Sequence, residues 1–321
     1  MQSGGRPRAL FFGTPDFAVP CLRALIELAD LQVVVTQPDR PSGRGMKLTP
    51  PPTKVVAEAA GIPVWQPTKV RSPEFAESLR ALNADIAVVV AYGRILPRAV
   101  LDAARLGSVN VHASLLPKYR GAAPIQWSIV NGDSETGVSL MQMDEGMDTG
   151  SVLAMAATPI DAQETGGELA IRLSAMGAEL LRARWSALME GALHATPQDN
   201  ALATTAPMLS KEDGCVRWAD TAQQVHDRVR GMSPWPGAYS FLDGERLKIH
   251  RTRVVDHTAQ QTPGTIVEAS GNGIVVACAR GLIAIDELQP EGGKRQRPEQ
   301  WLLGHRVSDT ARFTETQTVS E

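Results

Sequence analysis

The sequence is short of cysteine, of net charge and of long apolar runs. Its three cysteines, Cys21, Cys215 and Cys278, are odd in number and far apart, which excludes a disulfide framework or a metal knuckle and fits a reducing, cytoplasmic setting. Lys+Arg 32 against Asp+Glu 35 leaves a formal charge of -3, so no global basic field advertises nucleic acid, and such a partner has to be held by local clusters. No uninterrupted apolar stretch reaches membrane-spanning length and no signal peptide opens the chain, so no membrane partner is expected. Gly13, after the first strand, stands without the two further glycines of the dinucleotide fingerprint.

What is there is length and alternation. A chain of 321 residues holds two domains, each large enough for its own core. After a flexible tail at 1–7, residues 8–12 (RALFF) read as a strand; in the following GTPDF, Thr14 is placed to cap a helix, Pro15 to take its first position and Asp16 to face the positive end of its dipole. A strand at 31–36 leads into QPDRPSGRGMKLTPPPTK, residues 37–54, whose five prolines, two glycines, Arg40, Arg44, Lys47 and Lys54 describe a long basic loop without periodicity. Beyond it come a helix at 53–60, a strand at 62–65, a helix at 73–82, a buried strand at 85–91, the Tyr92-Gly93 turn, a helix near 97–104, and strands at 108–113 and 136–143. This alternation predicts an α/β domain with a Rossmann-like, mostly parallel sheet covered on both faces. A helix over 165–190 closes that domain, set at 8–191, and the aperiodic stretch 192–207 is its linker. Residues 208–314 change character: a short helix at 221–231 and brief strands at 237–242, 246–254, 263–269, 273–279 and 281–286, punctuated by glycine, predict a small β-barrel of the oligonucleotide-binding type, with a tail at 315–321.

The stretch GSVNVHASLLPKYRGAAP, residues 107–124, carries the chemistry. Asn110 and His112 are two positions apart on a strand and share a face, and Pro117 and Gly121 then interrupt regular structure before a helix begins near Pro124. About thirty residues on, MDEGMDTG frames Asp148 between glycines in a turn able to bring a carboxylate to the same place. These residue types suit a reaction through a tetrahedral carbon with a developing oxyanion. Asn110 can donate through its amide, and His112 can donate to the same oxygen or shuttle a proton. Asp148 can orient the imidazole, raise its basicity, or accept a proton from an attacking amine through water. Ser114, two residues past His112, reads as a turn or ligand hydrogen-bonder and not as a nucleophile. Taken singly, Asn110 and His112 also suit plain strand-end hydrogen bonding and Asp148 a plain turn.

Asn110-x-His112, the SLLPKYRGAAP that follows and Asp148 within DEGMDTG together resemble the folate-dependent formyltransferase family. GTPDFAVP at 13–20, QPDRPSGRGMKLTPPPTK at 37–54, LSKED at 209–213, PWPGAY at 234–239 and LQPEGGKR at 288–295 are similar to the branch of that family that acts on charged initiator tRNA. The resemblance implies transfer of the formyl group of 10-formyltetrahydrofolate to the α-amine of methionyl initiator tRNA, giving N-formylmethionyl-tRNA for translation initiation. It makes Asn110, His112 and Asp148 the catalytic trio, Asn110 and protonated His112 stabilising the oxyanion and Asp148 supporting the histidine and assisting proton transfer. It places folate against Ser114, Leu115, Leu116 and Pro117, with Val90, Ala91, Tyr92 and Gly93 and the 141–148 loop, including Met143 and Asp144, lining the pterin pocket. Charged tRNA is expected to meet Arg40, Arg44 and Lys47 in the basic loop, Arg44 foremost, and Lys211, Arg246 and Lys248 in the second domain. Arg217, Arg251, Arg253, Lys294, Arg295 and Arg297 add local positive charge there. A monomer is expected. No protein-bound catalytic metal is expected, because no compact ligand set appears, and magnesium is assigned to the folded tRNA.

Three rivals share parts of this pattern. A formyltransferase for an amino-sugar nucleotide needs the same trio and folate pocket, but the basic 37–54 loop and the second domain favour RNA. Hydrolysis of formyltetrahydrofolate leaves that loop unexplained. A noncatalytic RNA-binding protein on an old enzyme scaffold has no use for an intact Asn110, His112 and Asp148.

Overall fold

The computed structural model describes residues 5–42, 46–308 and 310–317. The chain divides into two compact units. The first comprises 1–124, 135–158 and 170–207, and the second 125–134, 159–169 and 208–321.

The first unit is built on β1 (Arg8–Gly13), α1 (Val19–Leu28) and β2 (Asp30–Val35), followed by the short ribbon β3 (Arg40–Ser42) and β4 (Lys47–Thr49). There follow α2 (Pro52–Ala59), β5 (Val64–Trp65), α3 (Pro73–Ala81), β6 (Ile86–Val90), α4 (Arg98–Leu101), β7 (Ser108–His112) and the two-residue β8 (Arg120–Gly121). After α5 (Pro124–Val130), nearly all of which belongs to the second unit, come β9 (Glu135–Gln142), β10 (Val152–Pro159), α6 (Gly166–Met189), which enters the first unit at Ala170, and β11 (Thr205–Ala206). Seven strands lie side by side in the order β10-β9-β7-β6-β1-β2-β5. Strands β5, β2, β1, β6 and β7 pair in parallel, and β9 runs antiparallel to β7. Because the central strands are covered on both faces, they read as unbroken apolar runs; all five residues of β6 are buried. From β1 the chain builds outward to β2 on one side and later to β6 and β7 on the other, so the order reverses between β1 and β6. Ligand crevices of open α/β sheets form beyond the strand ends at such a point.

Packing fixes the turn after β1. A Cβ on Gly13 would lie 2.6 Å from the Phe11 ring and 2.9 Å from the Val90 carbonyl oxygen, so glycine is needed there for close approach. Thr14 does not cap a helix as its sequence context suggests. The chain first makes a 3-10 turn, Asp16–Ala18, with Pro15 at its cap, and the Thr14 hydroxyl donates to the Tyr92 carbonyl at 3.0 Å, tying the β1 and β6 loops together. The 37–54 segment also differs from the expected loop. Arg40 pairs with Thr49 and Ser42 with Lys47 in an antiparallel ribbon, and α2 begins already at Pro52. Pro41 is tolerated because a two-stranded ribbon is all edge. Lys54 holds the ribbon's foot, its Nζ 2.9 Å from Asp39 Oδ2 and 3.1 Å from Gln66 Oε1.

In the second unit α7 (Ala222–Gly231) starts with a reciprocal cap: the Thr221 hydroxyl accepts from the Gln224 backbone, and the Gln224 side chain accepts from the Thr221 N–H. The strands β12 (Ala238–Leu242), β13 (Glu245–Asp256), β14 (Ile266–Ser270), β15 (Gly273–Ala277) and β16 (Leu282–Pro290), the helix α8 (Pro298–Leu302) and β17 (Phe313–Thr314) complete it. The sheet order is β14-β15-β16-β13-β12-β17, antiparallel throughout its described pairings. Register shifts in the β13–β16 pair, the mark of bulges, curl the sheet. Its two edges meet where Thr265 bridges Arg312 and the Phe313 N–H donates to the Gly264 carbonyl at 2.9 Å. Val225, Val229, Leu247, Ile249, Ile283, Ile285, Trp301 and Phe313 fill the curled interior. Among the described residues no helix is long and apolar enough to cross a membrane.

Candidate functional site

Strand β7 ends at the crevice, and its alternation sends Asn110 and His112 to one side of the sheet. The Asp148 carboxylate meets both: Asn110 Nδ2 donates to Oδ1 at 3.4 Å, and His112 Nδ1 lies 3.7 Å from Oδ2. The Gly121 backbone N–H donates to the same Oδ2 at 2.9 Å. Asp148 stands at φ 55, in the left-handed region that aspartate tolerates better than most residues. That conformation turns the carboxylate back toward β7. His112 is 6% exposed and Asp148 16%, so their electrostatic attraction is little screened by water.

The imidazole is oriented from its far side. His112 Nε2 lies 2.9 Å from the carbonyl oxygen of Tyr119, and a carbonyl can only accept, so Nε2 carries the proton. Nδ1 is then the nitrogen that faces Asp148 and exchanges a proton: a lone pair in neutral His112, a second donor in the cation. The 3.4 Å bond from Asn110 is long, and its amide is readily redirected to a nearby oxyanion. The arrangement supplies two donors beside an anchored carboxylate, which suits an addition step that builds negative charge on oxygen and frees a proton.

A cavity of about 140 Å³ adjoins Asp148, lined by Arg94, Ile95, Leu96, Met141, Met143, Asp144, Glu145, Gly146, Met147 and Asp148 itself. Met141, Met143 and Asp144 belong to the 141–148 loop singled out in the sequence, whereas Arg94, Ile95 and Leu96 were not. Asp144 Oδ1 accepts from the Gly146 N–H at 3.0 Å and the Thr149 hydroxyl at 2.7 Å, shaping the loop. Val90 is buried at the end of β6, and Ala91 and Gly93, both at positive φ, are exposed just beyond it. The Tyr92 side chain points into the core, edge-on to Phe12 with ring centroids 5.5 Å apart, and burial pushes its phenol up to about 12. The Tyr92 carbonyl already accepts from Thr14 and from Gln37 Nε2 at 3.1 Å.

Ser114, Leu115, Leu116 and Pro117 are not brought to this cavity. Ser114 is fully buried, donating to the Lys118 carbonyl at 2.6 Å, and the Leu116 N–H donates to Ser139 Oγ at 3.1 Å. Leu116 packs with Met141 and Val152, and the loop serves to fasten β7 to β9.

Of the basic residues, Arg40 and Lys47 are exposed on the β3–β4 ribbon, beside Met46 and Leu48, which are 70% and 64% exposed. Arg44 lies outside the described residues. Lys211 is exposed ahead of the 3-10 turn Glu212–Gly214. On the barrel, Arg251 and Arg295 both reach Glu287, and Arg253 reaches Asp286 at 3.0 Å, so their charge is compensated. Arg246 instead lies 3.8 Å over the Tyr239 ring, and Lys248 stands opposite Tyr239 in the β12–β13 register; neither has an acidic partner among the described contacts. Among the described residues no group of three or more His, Cys, Asp or Glu side chains is placed to hold a metal ion. Burial pushes the thiols of Cys21 and Cys278 up to about 12, which makes them inert at neutral pH.

One polar residue at the site carries no sequence signal. Gln198 lies in the aperiodic stretch 192–207, yet it donates to the carbonyl of Asp148.

An open α/β sheet with paired amide and imidazole donors facing an anchored carboxylate at the end of β7, one strand from its switch point, followed by a curled β-barrel unit, defines a two-unit group-transfer enzyme. The model of the family described as formyl transferase matches residues 8–184, and that of the formyl transferase C-terminal domain matches residues 208–306. The chain belongs to the formyl transferase family. It is 54% identical over 289 residues to the methionyl-tRNA formyltransferase of Sorangium cellulosum (strain So ce56), covering 89% of this chain and 93% of that protein. To the methionyl-tRNA formyltransferase of Geotalea uraniireducens (strain Rf4) it is 50% identical over 302 residues, covering 94% and 96%. Among solved structures, the fold is shared with an N-formyltransferase from Helicobacter canadensis in complex with folinic acid and dTDP-3-aminofucose, at 17% identity, TM-score 0.66 and coverage of 87% of this chain and 98% of that one. It is shared too with HypX from Aquifex aeolicus in complex with tetrahydrofolic acid, at 17% identity, TM-score 0.61 and coverage of 93% and 47%.

Proposed function

We infer that the chain transfers the formyl group of 10-formyltetrahydrofolate to the α-amine of methionine esterified to initiator tRNA, yielding N-formylmethionyl-tRNA. The observation that carries this reading is the meeting of Asn110, His112 and Asp148 inside a chain about half identical, along nearly its whole length, to methionyl-tRNA formyltransferases.

The donor supplies an electrophilic formyl carbon. The cavity beside Asp148 suits its pterin ring: Ile95, Leu96, Met141 and Met143 give apolar walls and Asp144 a polar contact, and the exposed backbone at Ala91 and Gly93 is assigned to the polar pterin edge. As the neutral amine adds to that carbon, the Asn110 amide and Nδ1–H of the His112 cation receive the negative charge growing on the formyl oxygen. Asp148, fixed by the Gly121 N–H, stabilises the imidazolium and takes up the amine proton through water. The carbon–N10 bond then breaks, with the proton returned to the folate nitrogen.

Residues 8–191 form the catalytic domain in this reading, 192–207 the linker, and 208–314 the tRNA-binding domain. Arg40, Arg44 and Lys47 meet the acceptor arm, and Lys211, Arg246 and Lys248 meet the tRNA elsewhere. The cations position phosphates, and shape and exposed ends supply discrimination. The enzyme acts as a cytoplasmic monomer. Formyl transfer by the purified protein to charged initiator tRNA, charged elongator tRNA and an amino-sugar nucleotide tests the whole reading. Rapid folate-dependent transfer confined to initiator tRNA is expected, and transfer only to the sugar overturns the acceptor.

A further inference from the structure

We propose that Gln198 is a positioning residue for this reaction, fixing the Asp148 carboxylate by holding the backbone on which it stands. The proposal rests on the formyl-transfer reading of the Asn110, His112, Asp148 site.

A residue in the left-handed region, followed within two positions by a glycine, leaves carbonyls that no helix or ladder satisfies. At this turn both go to one side chain: Gln198 Nε2 donates to Asp148 O at 2.8 Å and to Gly150 O at 2.7 Å. Gly150 packs directly on β9, since a Cβ there would lie 1.8 Å from the Gln142 carbonyl oxygen, so only glycine fits this turn. The other end of the Gln198 amide is fixed as well. Its Oε1 accepts from Arg120 Nε at 3.0 Å and from an Arg120 terminal nitrogen at 2.9 Å, and the same nitrogen donates to Asn200 Oδ1 at 2.9 Å. A guanidinium has no lone pair to offer and a carbonyl no proton, so the two sets of partners dictate which way the amide points.

The contacts close a ring. Gln198 grips the Asp148 backbone, Arg120 grips Gln198, and the residue after Arg120, Gly121, donates its N–H to the Asp148 carboxylate. The residue before it, Tyr119, accepts a hydrogen bond from His112 Nε2–H. Three consecutive residues, 119 to 121, therefore set the histidine, the glutamine and the carboxylate, and Gln198 returns the chain of contacts to Asp148. The segment carrying Gln198 is itself pinned: Thr196 exchanges both backbone hydrogen bonds with Val152, the Arg120 N–H donates to Thr204 O at 2.8 Å, and β11 pairs with β8. Loss of the Gln198 bonds frees the turn and lets the carboxylate drift from its 3.7 Å setting against His112 Nδ1, and small misplacements of catalytic groups are costly in rate.

The substitution Gln198→Glu is diagnostic because it keeps the acceptor for Arg120 and sets a carboxylate oxygen against the two carbonyls. Gln198→Met removes the hydrogen bonds without that repulsion and guards against a folding failure of the first variant. Both should lower kcat for transfer to charged initiator tRNA by about 10- to 100-fold, with KM for donor and tRNA within about threefold. In an Asp148→Ala background, adding Gln198→Glu should change the residual rate by less than about twofold, because the contribution passes through Asp148. Hydrogen exchange of the Gly121 amide should accelerate in both variants, and this readout needs no substrate. Wild-type kcat in both variants, or an equal proportional loss without Asp148, overturns the proposal. If the unaltered protein transfers no formyl group, the functional reading fails on its own. Gly121 exchange then still decides the hold: acceleration supports it, and unchanged protection overturns it.

Discussion

His112 Nε2–H donates a hydrogen bond to the backbone carbonyl of Tyr119 across 2.9 Å, and this one bond settles which nitrogen of the ring does chemistry. The neutral ring should be the Nε2–H tautomer, leaving Nδ1 toward Asp148. Nitrogen-15 spectra of His112 in alkaline solution should show a protonated Nε2 and a bare Nδ1. The opposite tautomer would remove the stated basis for the proton path.

Replacing the ring itself should separate chemistry from binding. His112→Ala is expected to lower kcat by about 10²- to 10⁴-fold, the usual range for a positioned acid or base, while affinity for charged tRNA stays close to that of the unaltered protein. Asn110→Ala should act in the same sense by removing a donor to the oxyanion, at about 10²-fold. Single-turnover rates and filter binding measure the two quantities apart. Normal turnover by the His112 variant contradicts its assigned role.

Gly121 is required by its conformation. It stands at φ 125, and a Cβ there would meet the Ala206 carbonyl oxygen at 2.6 Å. Gly121→Ala should destabilise the fold by about 1–3 kcal/mol, the scale of a strained backbone position. It should also lower kcat, because the displaced N–H is the one that anchors Asp148. Denaturant melts and initial rates together test this; a stable, fully active variant means the 119–121 and 205–206 segments are not as closely packed as described.

The foot of the basic ribbon carries a pH dependence whose sign is fixed by its hydrogen bonds. Gln66 first, then Lys54, bond to the Asp39 carboxylate and hold it below the ordinary carboxylate range. A carboxyl lowered in the folded state stabilises that state above its unfolded value and ceases to as pH falls through its folded value. The clamp should therefore be intact at neutral pH and open only in acid below the usual aspartate range. Carbon-13 titration of Asp39 should find a midpoint under 3.8, and Lys54→Met should raise it. An unshifted midpoint means that the clamp is not formed in solution.

Much of this fold is legible because its strands are buried on both faces. Ala9 to Phe12 and Ile86 to Val90 read as apolar runs for the reason that they lie at the centre of the sheet. Asn110 and His112 were visible as an alternate pair on such a strand, and Asp148 by its flanking glycines. The ribbon of β3 and β4 was hidden by Pro41 and the prolines after it, since proline argues against a strand everywhere except at an edge. Thr14 misled because a capping hydroxyl has to accept a helix N–H, and here its oxygen accepts from the Gln37 N–H at 3.4 Å while its proton goes to the Tyr92 carbonyl. Ser114 and Gln198 show the limit from both sides. The first donates to Lys118 within its own turn, as its place after His112 allows; the second sits in a stretch with no period, and its partners, the Asp148 and Gly150 carbonyls and the Arg120 guanidinium, lie some fifty to eighty residues away.

The ion pairs on the barrel divide its cations into two kinds, and the division predicts their effect on RNA binding. Arg253 is held by Asp286 at 3.0 Å, so a phosphate arriving there has to displace a carboxylate, and the net gain is small. Lys248 is exposed, faces Tyr239 across the β12–β13 pair and has no acidic partner among the described contacts. A phosphate neutralised by Lys248 releases a counterion, which should appear in the salt dependence as well as in the affinity. Lys248→Ala is therefore expected to weaken charged tRNA binding and to reduce the slope of log K against log salt by about 1, with no change of preference among acceptor-stem variants. Arg253→Ala should leave both affinity and slope nearly unchanged. Equal effects from the two would mean that the carboxylate pairs open on binding, and that the RNA footprint extends over the β13–β16 side of the barrel.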